Sequence, residues 1–296
     1  MLILNVSRGA DTGGVGILIK QAFDRHSGSD YRTVCSKTNY IGYPTDLPAR
    51  ALDAWWRKSD VIHLNQIFRP AAGRPTKPMV IHHHGTIFRR NAANLIGEQR
   101  QRKAEGIAAT LDLWLTAPDD LEWVGAPYNR SWLQSFRRPV DDGVLRIAHA
   151  PTQRPIKSTD KFLAAAERLA REVPVQIILI ERKPWVQCLE LKGAADIYFD
   201  QVLLGYGNNT IEAWGMGIPV IAGGEDETLV EMDRRFGSLP FVEATESTIY
   251  EALRELVDPS VREKWARRGS EHFDSFHADQ VVVPRLEAIY RKAADR

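Results

Sequence analysis

The sequence has only two cysteines, no long hydrophobic run and almost no net charge, and each of these shortages excludes a class of protein. Cys35 and Cys188 alone cannot make a disulfide framework, so we expect a reducing, cytoplasmic compartment. The longest apolar runs, such as residues 175–180, are strand-sized, whereas a membrane span needs roughly 20 apolar residues. We therefore expect no transmembrane segment. Residues 1–6 carry no basic segment or small-residue cleavage site, and they predict a first strand, not a signal peptide.

The charge is +1 over 296 residues, but the two halves differ. Residues 1–143 hold 19 Lys and Arg against 14 Asp and Glu, and the rest of the chain holds 20 against 24. Part of the basic excess is the cluster Arg89, Arg90, Arg100, Arg102 and Lys103. Such a cluster can attract a nucleic acid or another acidic acceptor, but an imbalance this small favours a solvated helix face.

Short strands rich in Val and Ile alternate with helical patterns along the whole chain, as in buried parallel sheets. The predicted strands are 2–6, 31–36, 60–65, 78–83, 145–149, 175–180, 196–199 and 220–222. The predicted helices are 17–23, 49–56, 158–171, 209–216 and 280–292. Two successive βαβ series predict an α/β protein with two Rossmann-like, doubly wound parallel sheets.

The length of the chain suits two hydrophobic cores. We place the domain boundary near 138–143, where Pro139 and the polar run 141–143 suit a linker. This gives a first domain at 1–143 and a second at 144–278, followed by a final helical segment at 279–296.

Ligands of open α/β sheets bind outside the carboxyl ends of the strands, and three groups of residues follow predicted strands. The first is the glycine loop 13–16. Its glycines let the backbone approach a ligand, and the helix that follows offers free N–H groups to an anion. The spacing is not the GxGxxG of dinucleotide-binding folds, and a simple tight turn explains the loop equally well.

The second group is the histidine run 82–84. Adjacent side chains on a strand point to opposite faces, so only His82 and His84 can converge. No further metal-ligand spacing accompanies them, so we predict no metal site. An imidazole at a strand end can hydrogen-bond a sugar, although a histidine there can also serve the fold alone.

The third group lies in the second half of the chain. After the strand at 145–149, the guanidinium of Arg154 can span two phosphate oxygens, and the ammonium of Lys157 supplies a point charge. The glycine-rich stretch 205–213 enters a helix, and its amides suit the same diphosphate. Glu212 can accept hydrogen bonds from a ribose diol or stabilise the helix dipole. Together these residues predict a nucleotide-diphosphate site.

Segments 149–160 and 196–222 resemble the donor domain of the retaining GT-B glycosyltransferases of the family-four type, also called glycosyl transferases group 1. In that family an Arg and a Lys bind the donor pyrophosphate, and Arg154 and Lys157 match them, with Ser158 where glycine is usual. The second Glu of the family's E-x7-E motif binds the ribose, and Glu212 matches it. The glycine loop, the strand 60–63 and the pair 84–85 are similar to the family's N-terminal motifs.

This resemblance implies a GT-B fold with an acceptor-side domain at 1–143, a donor domain at 144–278 and a final helix at 279–296 that returns to the first domain. It implies transfer of a hexose, with retention, from a nucleotide-diphosphate sugar to an acceptor hydroxyl. We expect a UDP-sugar, UDP-glucose above all, and no metal or other cofactor. The implied catalytic residues are His84, Arg154 and Lys157. The implied donor-binding residues are Gly14, Gly16, Arg154, Lys157, Gly207, Asn208, Asn209, Thr210 and Glu212.

The sequence departs from the family at Leu204, where the first Glu of E-x7-E handles the transferred sugar. Asp200 lies just upstream and is a candidate substitute. This departure keeps open a non-catalytic nucleotide-sugar-binding protein, and a nucleotide-sugar epimerase of the same fold is a further alternative. The acceptor is undetermined: a modified DNA base, a protein hydroxyl or a glycan would each suit this architecture.

Overall fold

The computed structural model describes residues 1–68 and 73–296, and their contacts divide the chain into two units. The first unit contains Met1–Pro127 and Phe276–Arg296, and the second contains Tyr128–Ser275. Across the described residues, no helix combines the length and apolar character that crossing a membrane requires.

The first unit is built on a six-stranded parallel sheet with strand order β2-β1-β3-β4-β5-β6. Its strands are β1 (Leu2–Ser7), β2 (Asp30–Cys35), β3 (Val61–Asn65), β4 (Met79–His83), β5 (Glu105–Ala108) and β6 (Leu121–Trp123). Its first helices are α1 (Val15–His26), α2 (Leu52–Lys58), α3 (Gly85–Gln101) and α4 (Leu111–Thr116). The central strands β3 and β4 are buried along almost their whole length because helices pack against the sheet, which explains why Val, Ile and Leu are frequent in them. Their polar residues, His63, Asn65, His82 and His83, are buried as well.

The second unit is built on a five-stranded parallel sheet with strand order β11-β10-β9-β7-β8. Its strands are β7 (Leu145–His149), β8 (Val175–Leu179), β9 (Ile197–Phe199), β10 (Val220–Ala222) and β11 (Val242–Glu243). The helices are α5 (Arg130–Gln134), α6 (Thr159–Leu169), α7 (Trp185–Lys192), α8 (Asn208–Gly215), α9 (Asp226–Phe236), α10 (Ile249–Glu255) and α11 (Pro259–Phe276).

Residues 128–143 belong to the second unit, although the sequence analysis assigned them to the first domain. Leu133 of α5 is fully buried, and it packs so closely on Gly215 of α8 that a Cβ there would lie 2.3 Å from Leu133 Cδ1. The guanidinium of Arg137 donates to the carbonyls of Gly193 (2.7 Å) and Ala195 (2.8 Å). The proline and the polar run at 139–143 therefore lie within a unit and do not mark its boundary.

The last helix, α12 (Asp279–Ala294), packs in the first unit. Its buried apolar side chains, among them Val282 and Leu286, share one core with Ile3 and Val61 of the sheet. Burial of these side chains contributes about 1.5–3 kcal/mol each to the stability of that unit.

Each sheet has a switch point where the chain stops adding strands on one side and starts on the other. In the first sheet it lies between β1 and β3, and in the second between β7 and β9. The carboxyl ends of strands at a switch point form the crevice in which open α/β sheets bind ligands. The residues that follow these four strands are therefore the first to consider for a site.

Candidate functional site

At the switch point of the second sheet, the loops after β7 and β9 are joined by an ion pair. Lys157 Nζ lies 2.5 Å from Asp200 Oδ1, and the Asp200 side chain is only 1% exposed. The other oxygen, Oδ2, accepts hydrogen bonds from the Gly207 N–H (3.0 Å) and from the Thr210 hydroxyl (2.8 Å). Burial alone would raise the pKa of Asp200, but Lys157 and these two donors hold it below its ordinary value, so the carboxylate is ionised.

Arg154 lies on the same loop as Lys157 but in a more open environment. Its Nε and Nη2 atoms donate to the two carboxylate oxygens of Glu181 at 2.7 and 2.9 Å, in a bidentate pair. Asp160 lies 3.5 Å from the same guanidinium. The side chains of Arg154 and Glu181 are 45% and 36% exposed, so water screens the pair. Both predicted phosphate-binding cations are thus paired with carboxylates of the protein.

Glu212 is buried at 2% exposure within the first turns of α8. Its Oε1 accepts hydrogen bonds from the Tyr128 hydroxyl (3.2 Å) and Trp185 Nε1 (2.7 Å). Its Oε2 lies 2.5 Å from Nζ of Lys192, which is fully buried and also contacts Oδ1 of Asn209 at 2.9 Å. A ribose diol would have to replace one of these three donors, so the carboxylate has a structural role in the state described.

Ser158 precedes α6 with φ 48° and ψ 34°, in the left-handed region. An L-residue there costs roughly 1–2 kcal/mol, which explains why glycine suits this position. The Ser158 hydroxyl donates to Glu246 at 2.9 Å. Leu204, at the place of the missing glutamate, brings no charge, and the carboxylate of Asp200 is already bonded to Lys157.

The glycine loop of the first unit leads into α1, and a buried carboxylate binds the start of that helix. Asp11 accepts the N–H groups of Gly16 and Ile17 at 2.9 Å each, so these two amides are already bonded. A Cβ on Gly16 would come within 2.5 Å of a side-chain oxygen of β1, whereas one on Gly14 would meet the Tyr43 ring. These glycines allow close packing, and the anion-binding helix start stays a prediction.

The histidines at the carboxyl end of β4 separate as their alternation predicted. His83 lies 2.7 Å from Gln99 Oε1 and packs on Phe88. The ring of His82 stacks on that of His84, with ring centres 4.4 Å apart, and on His63 of β3 at 5.5 Å. These three imidazoles form a continuous buried row on one face of the first sheet.

Several polar atoms of this row and its neighbours are buried without a hydrogen-bond partner among the described residues. They are Asn5 Nδ2, His63 Nε2, Asn65 Oδ1, Gln66 Oε1, both ring nitrogens of His82 and Nε2 of His84. Burial, with a smaller contribution from neighbouring His83, lowers the pKa of His84 to about 3, so its ring is neutral at pH 7. A neutral imidazole can donate or accept a hydrogen bond, which suits contact with a sugar hydroxyl.

A cavity of about 240 Å³ lies at the carboxyl ends of β1 and β2. Val6, Val34, Leu52 and Phe68 give it apolar walls, and two arginines, Arg8 and Arg74, lie in its lining. It has the size and composition to hold an apolar group next to an anionic one.

The basic cluster on α3 and at its carboxyl end is largely neutralised within the first unit. Three of its members pair with carboxylates: Arg89 with Asp112 (2.7 Å), Arg100 with Asp120 (2.6 Å) and Arg102 with Glu98 (3.3 Å). This pattern is that of an ordinary charged helix surface. Within residues 1–68 and 73–296, no group of three or more potential ligand side chains could hold a metal ion.

The sequence indicated Asp200 as a substitute for the missing glutamate but not as the partner of Lys157, and it gave no role to Glu181. Glu181 follows a predicted strand, as Arg154 does, so its position in the sequence is a signal that could have identified it. Lys192 gave no such signal because it lies at the end of a helix, where a lysine is ordinarily a solvated dipole partner.

No protein-family model and no curated protein matches this sequence. Solved structures do match, along almost the entire chain. An alpha-glucosyltransferase in complex with UDP and a 13-mer DNA containing a central A:G mismatch has a TM-score of 0.69 and 11% identity, covering 98% of this chain and 99% of that one. Anabaena HepE in complex with UDP-glucose has a TM-score of 0.65 and 11% identity, covering 99% and 100%.

The sucrose-phosphate synthase of Thermosynechococcus elongatus gives a TM-score of 0.62 and 13% identity over 99% of this chain and 98% of that one. At such identities the likeness is one of fold. The chain therefore has the fold of these glycosyltransferases, and the predicted α/β class with two doubly wound parallel sheets, GT-B, is confirmed.

Proposed function

We propose that the chain is a glycosyltransferase that moves a hexose, with retention, from a nucleotide-diphosphate sugar to an acceptor hydroxyl. The observation that carries this proposal is the fold shared along the whole length with glycosyltransferases solved with UDP or UDP-glucose. It is supported by Arg154 and Lys157, two cations on one loop at the switch point of the second sheet. UDP-glucose is the donor to test first.

In this proposal Arg154 and Lys157 stabilise the diphosphate as the glycosidic bond to it breaks. Two positive charges beside a leaving group lower the barrier because negative charge develops on the phosphate oxygens as the bond lengthens. Gly207, Asn208, Asn209 and Thr210 shape the start of α8 against the same diphosphate. The reaction needs no covalent protein nucleophile, and we propose no metal or other cofactor.

We propose that His84 hydrogen-bonds the transferred sugar through its neutral imidazole. Its Nε2 atom is buried and has no partner among the described residues, so a sugar hydroxyl would satisfy it. Loss of this contact should reduce turnover more than nucleotide binding. We also propose Gly14, Gly16 and Glu212 as donor-binding residues. Glu212 would contact the ribose diol, for which it would have to exchange one of the donors that it binds in the state described.

The acceptor is proposed to bind the first unit, with the cavity at the carboxyl ends of β1 and β2 as the place for its apolar portion. The candidate acceptors are a modified DNA base, a protein hydroxyl and a glycan. DNA belongs in the panel because one structure of this fold is an alpha-glucosyltransferase with a 13-mer DNA. The two free cysteines suit a cytoplasmic enzyme.

A non-catalytic nucleotide-sugar-binding protein is the second candidate. It is favoured by Leu204, which leaves the sugar without the expected carboxylate. The two functions differ in turnover: a binder takes up the donor and neither transfers nor hydrolyses the sugar.

Calorimetric titration with UDP, GDP, ADP and TDP and then with their glucose and mannose conjugates tests the proposal. We expect one nucleotide to bind, and binding to fall at least tenfold in Arg154→Ala and in Lys157→Ala. Arg267→Ala is the control, because its side chain is 73% exposed on α11. Absence of binding by every nucleotide would refute the donor site, and binding without release of free or transferred sugar would favour the second candidate.

A further inference from the structure

Two carboxylates lie against the two cations of the proposed donor site, and their surroundings differ sharply. Glu181 pairs with Arg154 at an exposed position, whereas Asp200 pairs with Lys157 in the interior. A diphosphate that binds these cations meets both negative charges. The inference that follows rests on the proposed function and assigns different roles to the two carboxylates.

Asp200 is fixed on every side. Its backbone N–H donates to the Ile221 carbonyl at 3.1 Å, which ties the residue to β10. Its side chain then joins three separate parts of the site: the Lys157 loop, the Gly207 amide and the Thr210 hydroxyl. Removing such a buried charge from its partners is costly, because an ion that loses its partner loses much of the compensation for its lost hydration.

The Lys157 ammonium is nevertheless not closed off. An ammonium has three donors, and its side chain is 15% exposed while the carboxylate that holds it is 1% exposed. A Cβ on Gly207 would lie 3.9 Å from Lys157 Nζ, so the absence of a side chain there keeps space beside the ammonium. Lys157 can therefore keep its bond to Asp200 and still donate to a phosphate oxygen.

The pair of Arg154 and Glu181 has the opposite character. Exposed ion pairs contribute little to stability because water screens them, so the guanidinium can exchange its carboxylate for a phosphate at little cost. The same bidentate geometry suits either anion.

We propose that Asp200 is a positioning residue of the donor site, which holds Lys157 and the start of α8 in the arrangement that binds the diphosphate. Glu181, by contrast, is an exchangeable counter-ion, and Arg154 leaves it when the diphosphate binds. Asp200 thus supports binding despite its negative charge, and Glu181 competes with the ligand.

Asp200→Asn and Glu181→Gln form a matched pair, because each replaces one carboxylate of the site by its amide. The probes are the nucleoside diphosphate that binds the wild type, inorganic pyrophosphate and the free nucleoside. We expect Glu181→Gln to bind the diphosphate about two- to fivefold more tightly, since it removes a weak competing pair. We expect Asp200→Asn to bind the diphosphate and pyrophosphate at least tenfold more weakly than the wild type, with its affinity for the nucleoside unchanged.

Thr210→Val removes one hydrogen bond to Asp200 without a change in charge. It should lower the affinity for the diphosphate by a smaller factor than Asp200→Asn does. Thermal unfolding of each variant checks that the second unit is folded. If Asp200→Asn tightens binding as Glu181→Gln does, Asp200 acts only by repulsion and the inference is wrong. Equal losses for diphosphate and nucleoside would also overturn it, since they indicate general damage to the unit. If neither the wild type nor Glu181→Gln binds any nucleoside diphosphate, the donor site itself fails, and this inference fails with it.

Discussion

Glu212→Gln separates a structural role of this carboxylate from a role in ribose binding. The change removes the negative charge that lies 2.5 Å from Lys192 Nζ while preserving the size of the side chain. Lys192 is fully buried, and its remaining acceptors are the carbonyl and Oδ1 of Asn209 at 3.2 and 2.9 Å. Leaving one member of a buried ion pair without its partner costs about 3–5 kcal/mol. For a unit of this size that corresponds to a fall in Tm of roughly 10 °C.

Urea and thermal denaturation of the full chain, followed by circular dichroism and tryptophan fluorescence, measure this loss. The control is the double variant Glu212→Gln with Lys192→Met, which removes both charges and should recover most of the stability. Unchanged stability in Glu212→Gln, together with a large loss of nucleotide affinity, would refute the structural role and restore the ribose contact predicted from the sequence.

Three further predictions concern stability. Gly16→Ala should lower the free energy of unfolding by about 1–3 kcal/mol, since its Cβ would come within 2.5 Å of a side-chain oxygen. Gly28→Ala is the control, because open space surrounds Gly28. Equal losses in the two variants, measured by denaturant unfolding, would contradict the packing argument. Ser158→Gly should be more stable than Ser158→Ala by about 1 kcal/mol, because both lose the hydroxyl and only glycine suits a φ of 48°; a more stable alanine variant would refute this. Acidification should destabilise the first unit, because burial lowers the pKa of three of its histidines to about 3: His63, His84 and His277. In the unfolded chain these histidines have a pKa of about 6.5, so the unfolded state binds more protons than the folded state. Each histidine therefore lowers the free energy of unfolding by about 1.4 kcal/mol per pH unit as the pH falls from about 6.5 towards 3. Urea unfolding at pH 7.5, 6 and 5 checks this, and constant stability would contradict it.

The central strands of both sheets were predictable from the sequence because strands covered by helices on both faces are rich in Val, Ile and Leu. β7 and β10 lie where the pattern put them, and β1 and β4 differ from it by one residue. β5 and β6 escaped prediction. β5 begins with a glutamate and a glycine, and β6 has only three residues, too few to show a period.

The division into units could not be predicted from the positions of proline and polar runs in the sequence. Pro139 and the polar run beside it look like a linker, but the helix before them is held in the second unit by Leu133. The unit that a short helix joins depends on the shape of a surface formed by segments distant in the sequence. Here Gly215 of α8, which has no side chain, leaves the space that Leu133 fills. Local composition does not predict the shape of that surface.

The sequence by itself determined the types of residue at the candidate site and the strand ends at which they lie, because alternation and glycine spacing are local properties. The pairing of these residues was decided only by the tertiary structure. Lys157 meets Asp200 across 43 positions, and Arg154 meets Glu181 across 27. The exposure of a carboxylate determines whether its ion pair can break when a ligand binds. Glu181 is exposed and Glu212 is buried. Burial is a property of the assembled unit, because it depends on what covers the side chain after every strand and helix has found its place.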